Sequence, residues 1–287
     1  MVLSIQSHVA FGHVGNRSAV FPLELIGQEV VVVNTVQFSN HTGYGEWTGE
    51  VFSAQHIKKI IQGIEKRGGL TCDAVLSGYM GASEIGMAIT EAVDRVRMIN
   101  PEAIYCLDPV MGDYGRGFFV HSEIPGFIKN EALKRATIVT PNQFEAEYLA
   151  EMKITENSHA SEACRKIREN GPQIVLITSF QIDGDDKSIS MYLSDKGEDW
   201  IITTPRLGVK PDPNGAGDLT AALFLGRYLQ SRNAVDALGK MANSVYTVFE
   251  KTFNAKSREL RLVDSRFEIM EPVLRFEAVR VTESELA

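Results

Sequence analysis

Residues 212–224 read DPNGAGDLTAALF: two glycines around one alanine, then a lone carboxylate, Asp218, at the mouth of a long apolar run. Consecutive free amides at a helix start form an anion site, and the helix dipole is aimed at the same point. Gly215, Ala216 and Gly217 would supply those amides, the glycines letting a ligand approach the backbone closely. An acid beside a bound phosphate makes sense if it accepts a proton from an attacking hydroxyl, as phosphoryl transfer to an alcohol requires. The same aspartate also suits a first helical turn for structural reasons alone, since its charge meets unpaired N–H groups and the positive end of the dipole. Neither GxxxxGK[ST] nor GxGxxG occurs, which disfavours a P-loop hydrolase and a dinucleotide dehydrogenase.

Other polar groups suit the same chemistry. DPVMGD at 108–113 opens with Asp-Pro, a common turn starter, yet Asp108 at a strand end also offers hard oxygens to magnesium or to groups around phosphate. In TPNQFEAEYL at 140–149, Asn142 stands three residues before Glu145, the form of a capping box. Glu145 could equally reach a metal, and the spacing does not separate the two uses. TVQFSNHTGYGEWTG at 35–49 is too polar for a core. It suits an exposed hairpin or lid, or a pocket wall around a small polar ring, with Phe38 and Tyr44 offering apolar faces and Asn40, His41 and Thr42 offering donors and acceptors.

β-rich runs recur at 2–6, 30–34, 73–79, 103–109, 136–141 and 173–179. They read as strands buried on both faces. Helical periods fall at 53–66, 83–99, 143–150 and 158–170, and after Pro213 at 218–229 and 235–253. Alternating β and α predicts an α/β fold with a mostly parallel sheet between helices. SISMYLS at 188–194 and DWIITTP at 199–205 predict a hairpin at one sheet edge. Ligands collect beyond the carboxyl ends of such strands. The polar residues there are Ser7 and His8, Asn34 and Thr35, Gly78 and Tyr79, Asp108, Thr140 and Asn142, and Thr178 and Ser179. With no repeat or linker, one domain over 1–287 is expected, its charged, weakly amphipathic tail beginning near Lys256.

The chain has 287 residues, 44% of them hydrophobic, enough for a substantial core. A net charge of -8 and a pI near 5.4 argue against general affinity for nucleic acid or anionic lipid. Cys72, Cys106 and Cys164 show no paired spacing, so neither a disulfide framework nor a thiolate metal site is supported. No basic leader and no window near the roughly 18 apolar residues of a membrane span is found, and the cytoplasm is expected by elimination.

IQSHVAFGHVGN at 5–16, VNTVQFSNHTGYGEWTG at 33–49, LSGYMG at 76–81, DPVMGD and NGAGDLTAALF together resemble the pyridoxal kinase family of the ribokinase-like superfamily, over residues 1 to about 250. SNHTGYG is specific to that family, whereas GAGD is shared by many small-molecule kinases of the same fold. The resemblance implies a three-layer ribokinase-like fold, a homodimer, and transfer of the γ-phosphoryl of MgATP to the 5′-hydroxyl of pyridoxal. It implies Asp218 as catalytic base and Gly215, Ala216 and Gly217 as the anion hole. Ser7 and Thr42, flanked by His41 and Gly43, resemble the groups that hydrogen-bond the pyridine ring, with Tyr79 and Phe38 beside it. Asp108 and Glu145 resemble groups around metal and phosphates, and Thr140, Thr178 and Ser179 fall where the nucleotide is contacted. A need for a monovalent cation such as K⁺ stays open. Many similar bacterial chains carry Lys where Thr178 stands, and Lys210 is a candidate replacement. The lid DYGRGFF at 113–119 is short, with Arg116 its only cation. Two other functions compete: a hydroxymethylpyrimidine kinase, which explains SNHTGYG less well, and a pyridoxal-binding carrier of slow turnover.

Overall fold

Successive side chains of the first strand enter opposite cores, Val2 one and Leu3 the other, and the alternation repeats at Ala74 and Val75 and at Ile104 and Tyr105. Strands buried on both faces need helices on both sides. In the computed structural model, which describes residues 1–181, 187–208 and 213–282, this is what forms. The elements run β1 (Val2–Phe11), α1 (Asn16–Leu25), β2 (Val30–Asn40), β3 (Gly49–Val51), α2 (Ala54–Glu65), β4 (Ala74–Ser77), α3 (Ser83–Ile99) and β5 (Ile104–Leu107). A small hairpin of β6 (Gly112–Asp113) and β7 (Gly117–Phe118) follows, then α4 (Glu123–Phe127), β8 (Ile138–Val139), α5 (Gln143–Ala150), α6 (Asn157–Arg168) and β9 (Ile174–Phe180). The chain ends with β10 (Ser188–Asp195), β11 (Glu198–Pro205), α7 (Ala216–Ser231), α8 (Ala234–Asn254), α9 (Arg266–Met270) and β12 (Val279–Arg280).

Among the described residues ten strands make one sheet in the order β3-β2-β1-β4-β5-β8-β9-β10-β11-β12. The run from β2 to β9 is parallel, while β3 at one end and β10 to β12 at the other are antiparallel. Helices α2 to α6 pack on one face through residues such as Ile57, Ile89 and Ile167. Helices α1, α7, α8 and α9 cover the other through Leu23, Phe224, Leu238 and Ile269. The chain passes from β1 through α1 to β2 on one side of it, and after β3 and α2 it crosses back to β4 on the other side. Such a reversal places the expected ligand crevice of an α/β sheet at the carboxyl ends of β1 and β4. Residues 219–227 are all buried, because α7 lies between α1 and α8, which accounts for the apolar run after Asp218.

The α/β layering agrees with the sequence reading, and four details differ. Helix α1 carries Pro22 and has no side-chain cap, so its period is weak in the sequence. Strand β1 runs on to Phe11 and β2 to Asn40 despite their polar residues, because each completes the other's ladder as far as Phe11 and Asn40. The β10–β11 hairpin stands one strand in from the edge, since Trp200 and Ile201 pair with Arg280 and Val279. The tail from Lys256 is no loose appendage: Leu260, Leu262 and Ile269 are buried in the second core. No helix of the described residues is long and apolar enough to cross a membrane.

Candidate active site

Gly215 occupies the cap position of α7 with φ 85° and ψ 5°, the left-handed region. A Cβ there would fall 1.8 Å from the carbonyl oxygen of His13, so both conformation and space require glycine. Asp218 is the third helical residue, half-buried, and its carboxylate receives the N–H of Gly15 and its own N–H. It thus does part of the work of a first-turn acid. Desolvation outweighs the two amides, however, and pushes its carboxyl above the usual carboxylate range. A raised carboxyl lies closer to the pH at which a general base works.

Two more acids lie near: Asp108 against this helix start, and Glu145 beside Asp108. Asp108 follows β5, its N–H bonded to the carbonyl of Ser77 at 2.9 Å, and is 5% exposed. A Cβ on Gly217 would lie 3.6 Å from its Oδ2. Glu145 is 2% exposed and occupied on both oxygens. Its Oε2 accepts the Asn142 N–H at 2.9 Å, and its Oε1 accepts the Met111 N–H at 2.8 Å and the Gly112 N–H at 3.4 Å. Asn142 Oδ1 in turn accepts the Glu145 N–H, which completes the capping box. Capping and proximity to the DPVMGD turn are therefore simultaneous. Burial pushes Glu145 up to about 7 against those three N–H groups. Asp108 is driven well above its usual range, by burial first and then by the charges of Glu145 and Asp218.

In the first strand, the register of β1 against β2 slips between Gln6 and His8, so Ser7 sits at a bulge, a device that re-aims side chains. Its Oγ lies 2.4 Å from where a Cβ of Gly15 would be. Gln6 Nε2 donates to Ser4, Ser4 to Asn16, and Asn16 to Asn34, a buried polar chain behind Ser7. A Cβ on Gly78 would lie 2.6 Å from Gln6 Oε1 and 3.5 Å from Asp218 Oδ1, so the strand ends and the α7 acid meet across that glycine. Tyr79 is half-buried beside it, and Thr35 donates to its carbonyl at 3.3 Å.

Thr42, Gly43 and Tyr44 form a 3-10 turn capped by His41, whose Nδ1 accepts the Gly43 N–H at 2.9 Å. A Cβ at Gly43 would approach Asn214 Nδ2 to 3.4 Å, which brings this turn beside the α7 loop. Phe38 is half-buried with its ring 6.3 Å from Trp47. Asn40 holds the loop together by donating to the carbonyls of Glu46 and His41. The expected free face of Tyr44 is not available: the Arg258 guanidinium lies 3.7 Å from its ring centroid, Phe11 meets it edge-on, and its hydroxyl donates to Glu259 at 2.5 Å. Burial and the Arg116 charge hold the His41 imidazole below its usual range.

Toward the other end of the crevice, Thr140 is buried and its Oγ1 has no hydrogen-bond partner among the described residues. Thr178 and Ser179 are half-buried in β9, the Thr178 N–H bonding the carbonyl of Pro141 at 2.9 Å. The β6–β7 hairpin packs Phe118 against Phe144 and Tyr148, while Arg116 bonds Asp113 at 2.6 Å and stacks on Phe119. Lys210 lies outside the described residues. Gly15, Gln6, Asn16, Arg258 and Glu259 were not singled out by sequence. For Glu259 the one signal is its place beside Leu260 in RELRLV, a polar residue flanking an alternating apolar pattern.

The phosphomethylpyrimidine kinase family model matches residues 24–262. A Rubrobacter xylanophilus protein named pyridoxal kinase PdxY is 49% identical, across 98% of this chain and 97% of its own. One of the same name from Corynebacterium diphtheriae is 45% identical, across 98% and 99%. The chain belongs to the pyridoxal kinase family. Among solved structures, the pyridoxal kinase of Leishmania donovani in complex with ADP and pyridoxine superposes with a TM-score of 0.90 at 29% identity, covering 98% of this chain and 99% of that one. The pyridoxal kinase fold accordingly extends through the tail that the motif resemblance, ending near residue 250, did not reach.

Proposed function

We propose that this pyridoxal kinase family member transfers the γ-phosphoryl group of MgATP to the 5′-hydroxyl of pyridoxal, salvaging vitamin B6. The observation that carries it is the convergence of Asp218, the amides of Gly215, Ala216 and Gly217, and the 41–45 turn on one crevice. The ring lies against Tyr79 and Phe38, with Ser7, His41, Thr42 and Gly43 around its heteroatoms. Asp218 takes the proton of the attacking hydroxyl, and the glycine amides meet charge on the transferred group without reorganising. Thr140, Thr178 and Ser179 contact the nucleotide, the unpartnered Thr140 hydroxyl being available for it.

Asp108 and Glu145 fit magnesium. They are buried like charges whose repulsion a cation removes. Magnesium commonly binds through one or two carboxylates plus substrate phosphates. When bound, the cation neutralises phosphate charge. A monovalent cation such as K⁺ belongs to the same proposal. The protein acts as one kinase domain over 1–287, as a homodimer in the cytoplasm, where ATP is plentiful.

The test is a coupled ATP-dependent assay on pyridoxal, pyridoxine, pyridoxamine and hydroxymethylpyrimidine, with Mg²⁺ and K⁺ titrated. Pyridoxal should exceed the pyrimidine in kcat/KM by about tenfold or more, the worth of a lost specific contact. Preference for the pyrimidine overturns the substrate, and tight pyridoxal binding without product within minutes makes the protein a carrier.

A further inference from the structure

The turn at 42–44 contains no buried residue. A segment with so few buried contacts opens easily unless something else holds it. Among the described residues, its hydrogen bonds to distant parts of the chain run to Arg258 and Glu259. Tyr44 donates to Glu259 Oε1 at 2.5 Å, and Arg258 Nη2 donates to the Gly43 carbonyl at 2.6 Å while its guanidinium covers the Tyr44 ring. Glu259 Oε2 accepts the His13 N–H at 2.9 Å. The carboxylate therefore bridges two loops: the turn that carries Thr42, and the 12–15 loop that faces Gly215 and gives its Gly15 N–H to Asp218. Fully buried Leu260 roots the strap, and Ser257 fixes its bend by donating to the Glu259 carbonyl at 2.7 Å and accepting the Glu259 N–H at 3.1 Å.

We infer that Glu259, assisted by Arg258, is a positioning residue that holds the 41–45 loop over the ring-binding site in register with the Asp218 loop. The inference rests on the proposed placement of the ring beside Thr42. Glu259 itself touches no reacting atom. It acts through Tyr44 and His13, and its effect should fall on the pyridoxal side of the kinetics.

In the full-length enzyme, Glu259→Ala should raise KM for pyridoxal about tenfold, as loss of one charge-assisted hydrogen bond allows, with KM for ATP unmoved. Amide hydrogen exchange over residues 41–45 should accelerate. Glu259→Gln, which can still accept from one loop, should recover part of the affinity. Tyr44→Phe should raise KM less, and adding it to Glu259→Ala should add little, because both remove the same bond. A merely structural carboxylate would lower the thermal midpoint and shift both KM values together, and that result overturns the inference. Thr42→Val run in parallel separates the two readings. If it raises pyridoxal KM and Glu259→Ala does not, the strap falls and the ring site stands. If neither changes KM, the ring site falls and takes the strap with it.

Discussion

Asp218, Asp108 and Glu145 differ in what holds them, and each makes its own demand. Asp218→Asn keeps an acceptor for the Gly15 N–H but removes the proton acceptor, so kcat should drop about 10²–10⁴-fold. ATP binding should hold or tighten, since one negative charge near Asp108 disappears. Steady-state kinetics, calorimetric ATP binding and thermal melts, with Asp218→Ala alongside, check this; variants that keep most of their kcat would leave Asp218 a helix-start acid and nothing more. Glu145→Gln should increase the magnesium requirement. It also leaves an N–H of Met111, Gly112 or Asn142 facing an amide NH₂, a cost of about 1–3 kcal/mol, so either the capping box or the hold on the 111–112 amides is lost. Because burial raises Glu145 to about 7 in the folded protein, the folded state binds the extra proton. Its stabilising share is complete below the unfolded value of about 4.3 and is lost as pH rises through 7. In metal-free buffer the wild type should therefore lose melting temperature relative to Glu145→Gln between pH 5 and pH 8, and magnesium should restore it mainly at pH 8. A pH-independent gap between the two would mean that Glu145 stays ionised throughout.

At the scale of elements, the N-terminal turn of α7 separates folding from chemistry within three residues. Gly215→Ala forces a side chain into the left-handed region and against the His13 carbonyl, so it should destabilise by at least about 1–3 kcal/mol. Gly217 has no positive φ, and an added methyl would make an ordinary 3.6 Å contact with Asp108. Gly217→Ala should keep or slightly raise the melting temperature, since Ala outranks Gly in a helix by about 1 kcal/mol. If the amides of this turn hold phosphate as proposed, the added methyl should crowd it, and KM for ATP should rise as kcat falls. Unchanged kinetics in Gly217→Ala would remove the phosphate from this turn. The β1–β2 bulge shows why Ser7 was legible as a polar strand end but not as a re-aimed side chain: the slip depends on how β1 pairs with a strand some thirty residues away, which no local pattern carries.

Over the whole molecule, the tail is part of the fold. Leu260, Leu262 and Ile269 are each at most 1% exposed, and burying such side chains is worth about 1.5–3 kcal/mol apiece. Arg227, largely buried, spends its guanidinium on the carbonyls of Ile269 and Met270. Truncation after residue 255 should therefore remove an amount comparable to a domain's net stability, strand that cation, and yield a chain without a cooperative melt by circular dichroism. A truncated chain that melts cooperatively would make the tail an accessory. The layering was legible in the sequence, because strand and helix periods are local. The sequence also singles out Asp218, Asp108, Glu145, Ser7 and Thr42 as candidates, because glycine loops, strand ends, a capping-box spacing and the family resemblance point to them. What only the tertiary structure decided were relations between distant segments: that Glu145 caps its helix and binds the 111–112 amides at once, that Tyr44 is covered rather than open, and that Glu259 reaches back more than two hundred residues to two loops at the crevice. Those depend on which surfaces the folded core brings together, and a carboxylate in a charged tail carries no sign of its partners until the apolar residues beside it are buried.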